Sequence, residues 1–334
     1  MKVLSAVTAA VLLLCLVGLA QANVFDLGSG YKNLETVIVG NPANAADSRY
    51  GTYGSVSYAY AIGKYEVTAK QYADFLNNKA KFSDTYGLYN SAMAGASGCG
   101  IGRVGNGTSQ HPYIYSVVSG SANKPVNYIS YWDSLRFVNW LSNGQGNGDT
   151  ETGTYSLNGR SGSDCSGVAR RNDWTWALCS ENEWYKAAYY DPSKSGGAGY
   201  WDYPTRSNDT PSMVAPTSAA NAANSGWAVN GLTNVGAYTG SASAYGTFDQ
   251  AGNVWEYNEA VVLQQPNVSQ IGARGGSANN AGSSMSASAR YCFPTAYEDV
   301  NIGFRVSRAV PEPSSIMALL GGLILLPLRR FRTR

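Results

Sequence analysis

The chain has 334 residues, of which 44% are hydrophobic and only 14% are charged, and its formal net charge is +2. It has no basic stripe, which excludes the electrostatic footprint of a nucleic-acid-binding protein. A single histidine, His111, excludes an iron or zinc centre built from several histidines of this chain.

The first 22 residues have the pattern of a secretory signal. A basic residue precedes an apolar run from Val7 to Ala20, and the small-residue motif Ala-Gln-Ala ends at Ala22. We therefore expect export, with cleavage after Ala22. Cys15 follows a leucine where a lipoprotein signal would have a small residue, so acylation is the weaker alternative. Residues 23–33 would then form a lead-in to the folded body.

Short strands are predicted between Val37 and Tyr65. Apolar and small residues alternate through residues 56–62, and glycine-containing turns at 40–42 and 51–54 break the segment.

Three helices are predicted from their N-terminal capping patterns. Thr68, Ser130 and Ser180 can each accept a hydrogen bond from the backbone three residues later. The residues that should face the core are Tyr72, Phe75 and Leu76 in the first helix, Tyr131, Leu135, Val138 and Leu141 in the second, and Trp184, Ala187 and Ala188 in the third. Glu181 and Glu183 resemble an acid/base pair, but a capping role for Glu183 is the simpler interpretation.

Long polar tracts connect these helices at residues 90–121, 142–171 and 193–230. They are dense in glycine, serine, asparagine and threonine and lack periodicity. Such tracts are either functional surface or poorly ordered.

The stretch 245–257 combines a forced turn with aromatic anchors. Gly252 supplies backbone freedom, and Trp255 is a large apolar residue that would fix the loop in a core. Asn253 and Glu256 could direct oxygens at one centre, as calcium requires. The alternative is an ordinary turn in which Asn253 bonds to its own backbone.

Four cysteines remain after the signal: Cys99, Cys165, Cys179 and Cys292. In an oxidising compartment an even number permits two disulfides, and the three possible pairings stay open. None of them forms a Cys-x-x-Cys pair, which disfavours a zinc or thioredoxin-type site.

The C-terminus, residues 309–334, has three parts. A Pro-Glu-Pro motif is followed by an apolar run at 316–328 and an arginine-rich tail. The pattern resembles the PEP-CTERM sorting signal of bacteria that have an outer membrane and an exopolysaccharide system. This resemblance implies a transient membrane anchor and processing by an exosortase, with the body then at the cell envelope, on the outer surface or secreted. The alternative is a plain anchor, although the run of about 13 residues is shorter than the roughly 20 of a spanning helix.

The body carries five ordered sequence blocks between residues 34 and 308. They are residues 62–68 (IGKYEVT), 125–130 (PVNYIS), 178–184 (LCSENEW), 252–256 (GNVWE), and the closing pair 274–277 (RGGS) with 302–305 (IGFR). Together they resemble the formylglycine-generating-enzyme family, also called the sulfatase-modifying-factor domain. Five blocks in order are far more specific than any single motif.

This resemblance implies one domain, at 34–308, with an α+β fold. The fold would be the formylglycine-generating-enzyme variant of the C-type-lectin-like architecture, loop-rich, with short helices and small antiparallel sheets. The resemblance also implies calcium binding. Asn221 and Asn224 lie in the region where the family has ligands of another calcium ion, so Asn221 joins Asn253 and Glu256 as a candidate calcium ligand.

The resemblance also concerns chemistry. The family's enzymes oxidise a substrate cysteine to formylglycine with copper held by two cysteines that follow the Arg-Gly-Gly-Ser block. In this chain Asn280 and Met285 occupy the matching positions. Because Cu(I) prefers a pair of soft thiolates, we predict no catalytic residues here and no copper.

The leading hypothesis is therefore an exported binding module for a glycan or protein, with extracellular polysaccharide or an envelope protein as partner. Tyrosine, tryptophan, serine, glycine and asparagine make adaptable contact surfaces. The rival hypothesis is a formylglycine-generating oxidase-like enzyme that acts on a cysteine of a sulfatase or another protein.

Overall fold

The computed structural model describes Phe25 and residues 32–310. The predicted signal at 1–22, the Pro-Glu-Pro motif and the apolar run at 316–328 lie outside the described residues. Phe25 is buried and packs on the rings of Phe137 and Trp140, at centroid distances of 6.3 and 5.8 Å. Within 32–310, no helix has the length and apolar character needed to cross a bilayer.

Three helices form where the capping patterns predict them. They are α1 (Ala69–Lys79), α2 (Tyr131–Ser142) and α3 (Glu181–Tyr189). Thr68, Ser130 and Ser180 each make a complete capping box, so the predicted starts are confirmed. In α2 every residue from Tyr131 to Leu141 is buried, because the helix packs between α1 and the first sheet.

The first sheet has the order β1-β2-β14-β5 and is antiparallel throughout. Its strands are β1 (Thr36–Val39), β2 (Tyr60–Gly63), β5 (Trp176–Leu178) and β14 (Val306–Ala309). The prediction of an alternating strand over 56–62 is wrong. The strand is shorter, and all four of its residues are buried because β2 lies between β1 and β14.

The second sheet has the order β12-β11-β10-β13. Its strands are β10 (Trp255–Gln265), β11 (Val268–Arg274), β12 (Tyr291–Pro294) and β13 (Ile302–Phe304). β10 is antiparallel to β11 but parallel to β13. The signature 252–256 therefore leads directly into a central strand, where Glu256 stands opposite Gly303 on one side and Arg274 on the other.

Short paired strands and a 3₁₀ turn organise the polar tracts. They are β3 (Ile101–Val104) with β4 (Ile114–Val117), β6 (Tyr190–Asp191) with β7 (Gly199–Tyr200), β8 (Ser212–Met213) with β9 (Ala222–Ala223), and a 3₁₀ turn at Ser91–Ala94. A second 3₁₀ turn, at Gly282–Met285, lies outside the tracts. Buried amides hold these tracts in place. Asn139, for example, donates to the carbonyls of Thr150 and Tyr155 at 2.9 Å each. The tracts are thus folded parts of the domain.

The architecture is α+β, with short helices, small and mostly antiparallel sheets and much irregular chain, as predicted.

Candidate functional site

Asn253 lies at the centre of the signature loop and is almost fully buried. Its backbone has a left-handed φ of +62°, which asparagine tolerates better than most residues. Its Oδ1 accepts from Asn224 Nδ2 and from the amide of Thr233, both at 3.1 Å, while its Nδ2 donates to Glu66 Oε1 at 3.3 Å. Asn253 therefore joins three distant segments, whereas the turn interpretation had it bonding to its own backbone.

Glu256 forms a buried ion pair with Arg305. Arg305 Nε donates to Oε2 at 2.5 Å and Nη2 donates to Oε1 at 2.6 Å, and both side chains have no exposed surface. Trp184 Nε1 also donates to Oε2, at 2.7 Å. Burial alone would lower the pKa of Arg305, but the Glu256 carboxylate more than offsets it and keeps that pKa above its ordinary value. The Glu256 carboxylate thus balances the charge of Arg305 and accepts the hydrogen bond of the Trp184 indole.

The three residues predicted to bind calcium do not converge on one position. Asn253 and Glu256 are engaged as described, and Asn221 Oδ1 accepts from Thr205 while its amide donates to the carbonyls of Asp209 and Thr210. Calcium requires roughly six or more free oxygen ligands, and across the described part of the chain no group of three or more His, Cys, Asp or Glu could hold a metal ion. Calcium binding at these residues stays a prediction.

Sequence reasoning noted Asn224 as part of a region of calcium ligands but did not identify Glu66 as a neighbour of Asn253. Glu66 Oε2 and Asn224 Oδ1 are both buried without a hydrogen-bond partner. Burial, reinforced by the neighbouring Asp249 carboxylate, raises the pKa of Glu66 well above its ordinary value. Glu66 lies in the first of the five blocks, 187 residues from Asn253, and no local pattern signals their contact.

The positions of the family's copper ligands hold no thiol. Asn280 Oδ1 accepts from the amide and the hydroxyl of Ser277 at 3.0 and 2.7 Å, which fixes the side chain against its own turn. Met285 is fully buried and packs with Tyr203, Ala223 and Ala251. One amide and one core thioether do not fit a Cu(I) site, which needs soft ligands held together.

All four cysteines of the described residues are free thiols, so the two possible disulfides are a wrong expectation. Cys99 and Cys165 belong to the largest hydrophobic cluster, and Cys179 belongs to a second one. Cys179 Sγ donates to the carbonyl of Arg305, and Cys292 Sγ lies 3.0 Å from Gln270 Oε1. Burial raises the pKa of Cys99 to about 11, which keeps it protonated and unreactive.

Glu181 and Glu183 are not a free acid/base pair. Glu183 caps α3 and accepts from both Nη atoms of Arg170 at 2.7 and 2.9 Å, which confirms its structural role. Burial would raise the pKa of Glu183, but Arg170 brings it below the ordinary value. Glu181 accepts from Arg274 and Arg290. His111 is exposed in a loop, away from these carboxylates.

An open cleft beside Asn280 has a volume of about 520 Å³. Its aromatic wall consists of Trp255, Tyr291, Phe293 and Tyr297, and its polar lining includes Asn280, Arg290, Asp299 and Asn301. Because side chains alternate along β12, Tyr291 and Phe293 face the cleft while Cys292 faces away. No cysteine of the described residues lines this cleft.

The aromatic wall is a continuous series of ring contacts. The centroid distances are 5.6 Å from Trp255 to Tyr291, 4.9 Å from Tyr291 to Phe293, and 5.4 Å from Phe293 to Tyr297, whose rings are nearly parallel. Tyr291 is 55% exposed and Tyr297 is 41% exposed. Trp255 is buried, so it supports the wall while the tyrosines offer their faces to solvent.

Hydrogen bonds within the protein hold the polar side chains of the cleft in place. Asp299 Oδ1 accepts from the amide and the Nδ2 of Asn301 at 3.0 Å each, and Asn279 Nδ2 donates to Asn301 Oδ1 at 2.7 Å. Arg290 is held by both oxygens of Glu181. Sequence reasoning did not identify Tyr291, Tyr297 or Asp299 as site residues. Its only available signal was the density of tyrosine and phenylalanine just before the last block.

Comparison with solved structures supports the predicted fold. The chain aligns with the crystal structure of CarF with a TM-score of 0.51 and 17% identity, over 83% of this chain and 99% of that one. The Treponema denticola variable protein 1 aligns with a TM-score of 0.49 and 16% identity, over 84% and 97% of the two chains. PvdO from Pseudomonas aeruginosa aligns with a TM-score of 0.46 and 16% identity, over 83% and 95%.

The predicted fold class, the C-type-lectin-like architecture in its formylglycine-generating-enzyme variant, is thereby confirmed. No curated protein matches the chain. The model of the FGE-sulfatase family, described as the sulfatase-modifying factor enzyme 1-like domain, matches residues 43–310. Because that match covers most of the sequence, the chain belongs to the sulfatase-modifying factor enzyme 1-like family.

Proposed function

We propose that this protein is a binding module without oxidase activity and that its aromatic cleft holds a glycan. The observation that carries the proposal is the cleft itself. Exposed tyrosine faces stand beside pre-fixed amide and carboxylate groups, next to an asparagine at the position where the family's enzymes have a copper-binding cysteine.

A glycan fits this chemistry better than a protein partner does. The C–H face of a sugar ring stacks on an exposed aromatic ring, and its hydroxyl groups hydrogen-bond to side chains such as Asp299 and Asn301. The cleft volume, about 520 Å³, falls within the roughly 300–1,000 Å³ of small-molecule and cofactor sites. Since Asp299 and Asn301 are already ordered by each other, binding costs little side-chain entropy.

The proposal predicts binding on a glycan array that depends on the cleft tyrosines. Tyr291→Ala should weaken the affinity for any glycan retained by the wild-type protein by roughly 10- to 100-fold, because removing a central aromatic contact costs about 1–3 kcal/mol. Isothermal titration with the best array glycan measures the change.

Phe82→Ala is the matched control, because Phe82 is 59% exposed but lies outside the cleft wall. It should leave the affinity unchanged. Two results would contradict the proposal. One is an array on which the wild-type protein binds nothing. The other is conversion of the cysteine in a Cys-x-Pro-x-Arg peptide by the purified protein with copper and oxygen, seen as a mass change.

We also propose that the body is exported and released by processing near the Pro-Glu-Pro motif. The signal-like residues 1–22, the transient anchor at 316–328 and the arginine-rich tail support this proposal. An exosortase-type enzyme would be the processing partner, and extracellular polysaccharide would be the glycan source. Mass spectrometry of the natural protein should find its first residue at Asn23 and its last near Pro311. Natural protein that retains residues 316–328 would favour the plain anchor.

A further inference from the structure

Trp227 is an exposed tryptophan in an unfavourable backbone conformation. Its side chain is 64% exposed, more than any other large apolar residue of the described chain. Its φ is +61°, in the left-handed region that bulky residues rarely adopt. The other seven tryptophans are buried or half-buried. Backbone strain of this kind persists only where the surroundings enforce it, and it is concentrated at functional sites.

The loop that carries Trp227 is fastened to the wall of the cleft. The amide of Trp227 donates to the carbonyl of Ala278, and the amide of Gly226 donates to the carbonyl of Asn280, both at 2.8 Å. Ser225 Oγ donates to the same Asn280 carbonyl at 2.9 Å. Because Asn280 lines the cleft, these three bonds hold Trp227 next to the end of the cleft that Asn280 forms.

Met213 supports this loop from the other side. A Cβ atom added at Gly226 would lie 2.5 Å from Met213 Sδ, so the thioether packs directly against the turn. Met213 is itself 46% exposed. Trp227 and Met213 are therefore exposed apolar residues at one turn, and backbone hydrogen bonds fasten that turn to Asn280, which lines the cleft. We call this pair the Trp227–Met213 ledge.

We propose that the Trp227–Met213 ledge is an additional sugar subsite, which extends the cleft and stacks on a further ring of a bound oligosaccharide. The inference rests on the proposed glycan-binding function and deepens it, since it requires a chain of several sugar units. Units near Tyr291 would occupy the cleft, and the chain would continue past Asn280 onto the indole of Trp227. Long oligosaccharides should then bind more tightly than short ones.

The test compares dimers and hexamers of three probe series: β-1,4-linked glucose, β-1,4-linked N-acetylglucosamine and β-1,4-linked mannuronate. Trp227→Asn removes the ring but keeps a residue that tolerates a left-handed backbone, so the variant should fold normally. In the series that binds, this change should reduce hexamer affinity roughly tenfold and leave dimer affinity unchanged. The hexamer should also protect the wild-type protein from fluorescence quenching by acrylamide, and the variant should lose this protection, because Trp227 is the exposed tryptophan.

The outcomes separate this inference from the proposed function. Loss of hexamer affinity in Trp227→Asn, with Phe82→Ala unchanged, supports the subsite. If Trp227→Asn binds both lengths like the wild type while Tyr291→Ala loses both, the subsite is refuted and the cleft proposal stands. If the wild-type protein binds no probe of any series and no array glycan, the cleft proposal fails and the subsite fails with it.

Discussion

Replacing Glu256 with glutamine is expected to lower the free energy of unfolding by about 3–5 kcal/mol. Arg305 would keep its charge in a site with no exposed surface, and its nearest remaining carboxylate oxygen, Glu66 Oε2, is 3.9 Å away. The new amide would also turn an N–H toward a guanidinium, which can only donate. The cost thus arises from an uncompensated buried charge and a donor facing a donor. Urea denaturation monitored by circular dichroism measures it.

Two further variants show whether the charge is responsible. Asp173→Asn removes the partner of Arg171 in a pair whose side chains are 71% and 57% exposed, and it should leave the free energy of unfolding nearly unchanged. The double variant Glu256→Leu with Arg305→Met should recover much of the loss, because an apolar pair of similar size has no desolvation penalty. If Glu256→Gln proved nearly neutral and calcium stabilised the wild type but not the variant, Glu256 would be a metal ligand and our assignment would be wrong.

Sequence reasoning located the elements whose causes are local. The helix starts at Thr68, Ser130 and Ser180 were predictable because a capping box involves only four consecutive residues. All three predicted starts were confirmed. The residues predicted to face the core are buried in all three helices, but α2 is buried on all sides, which a 3.6-residue period does not predict. The five ordered blocks gave the family and the fold, although their local chemistry alone would not have done so.

The partners of the site residues were not predictable, because they are distant in sequence. Glu256 meets Arg305 from 49 positions away, and Trp184 Nε1 reaches the same carboxylate from 72. A signature that places Asn253 and Glu256 three residues apart resembles a shared ligand set, but the two side chains turn to different partners once Glu256 enters β10. The expectation of disulfides failed for a similar reason, because the number of cysteines in a sequence does not show which of them lie close together in the fold.

Sequence reasoning identified only part of the cleft lining. It singled out Asn280 because its segment follows a recognisable block, and Asn280 lines the cleft. The aromatic wall was missed because Tyr291 and Phe293 belong to a four-residue strand whose face is set by pairing with β11. Tyr297 joins them only through the turn that leads from that strand toward β13.

Gly252→Ala is expected to destabilise the protein by roughly 3 kcal/mol or more. The glycine has a φ of +84°, and a Cβ there would lie 2.2 Å from the carbonyl oxygen of Asn224. That oxygen cannot retreat, since it accepts from the amide of Asn253 at 2.9 Å, and the amide of Gly252 is itself bonded to Gly275. Thermal unfolding monitored by circular dichroism measures the loss.

Gly246→Ala separates the steric effect from the backbone effect. Gly246 has nearly the same φ, +83°, but nothing lies within 4 Å of an added Cβ. Its replacement should cost only about 1–2 kcal/mol, the penalty of a left-handed alanine. If the two variants were equally destabilised, close approach of Asn224 would not be the reason for glycine at 252. Backbone freedom alone would then explain the glycine of the signature. The contact that joins the 224–233 loop to the sheet would not depend on the absence of a side chain at position 252.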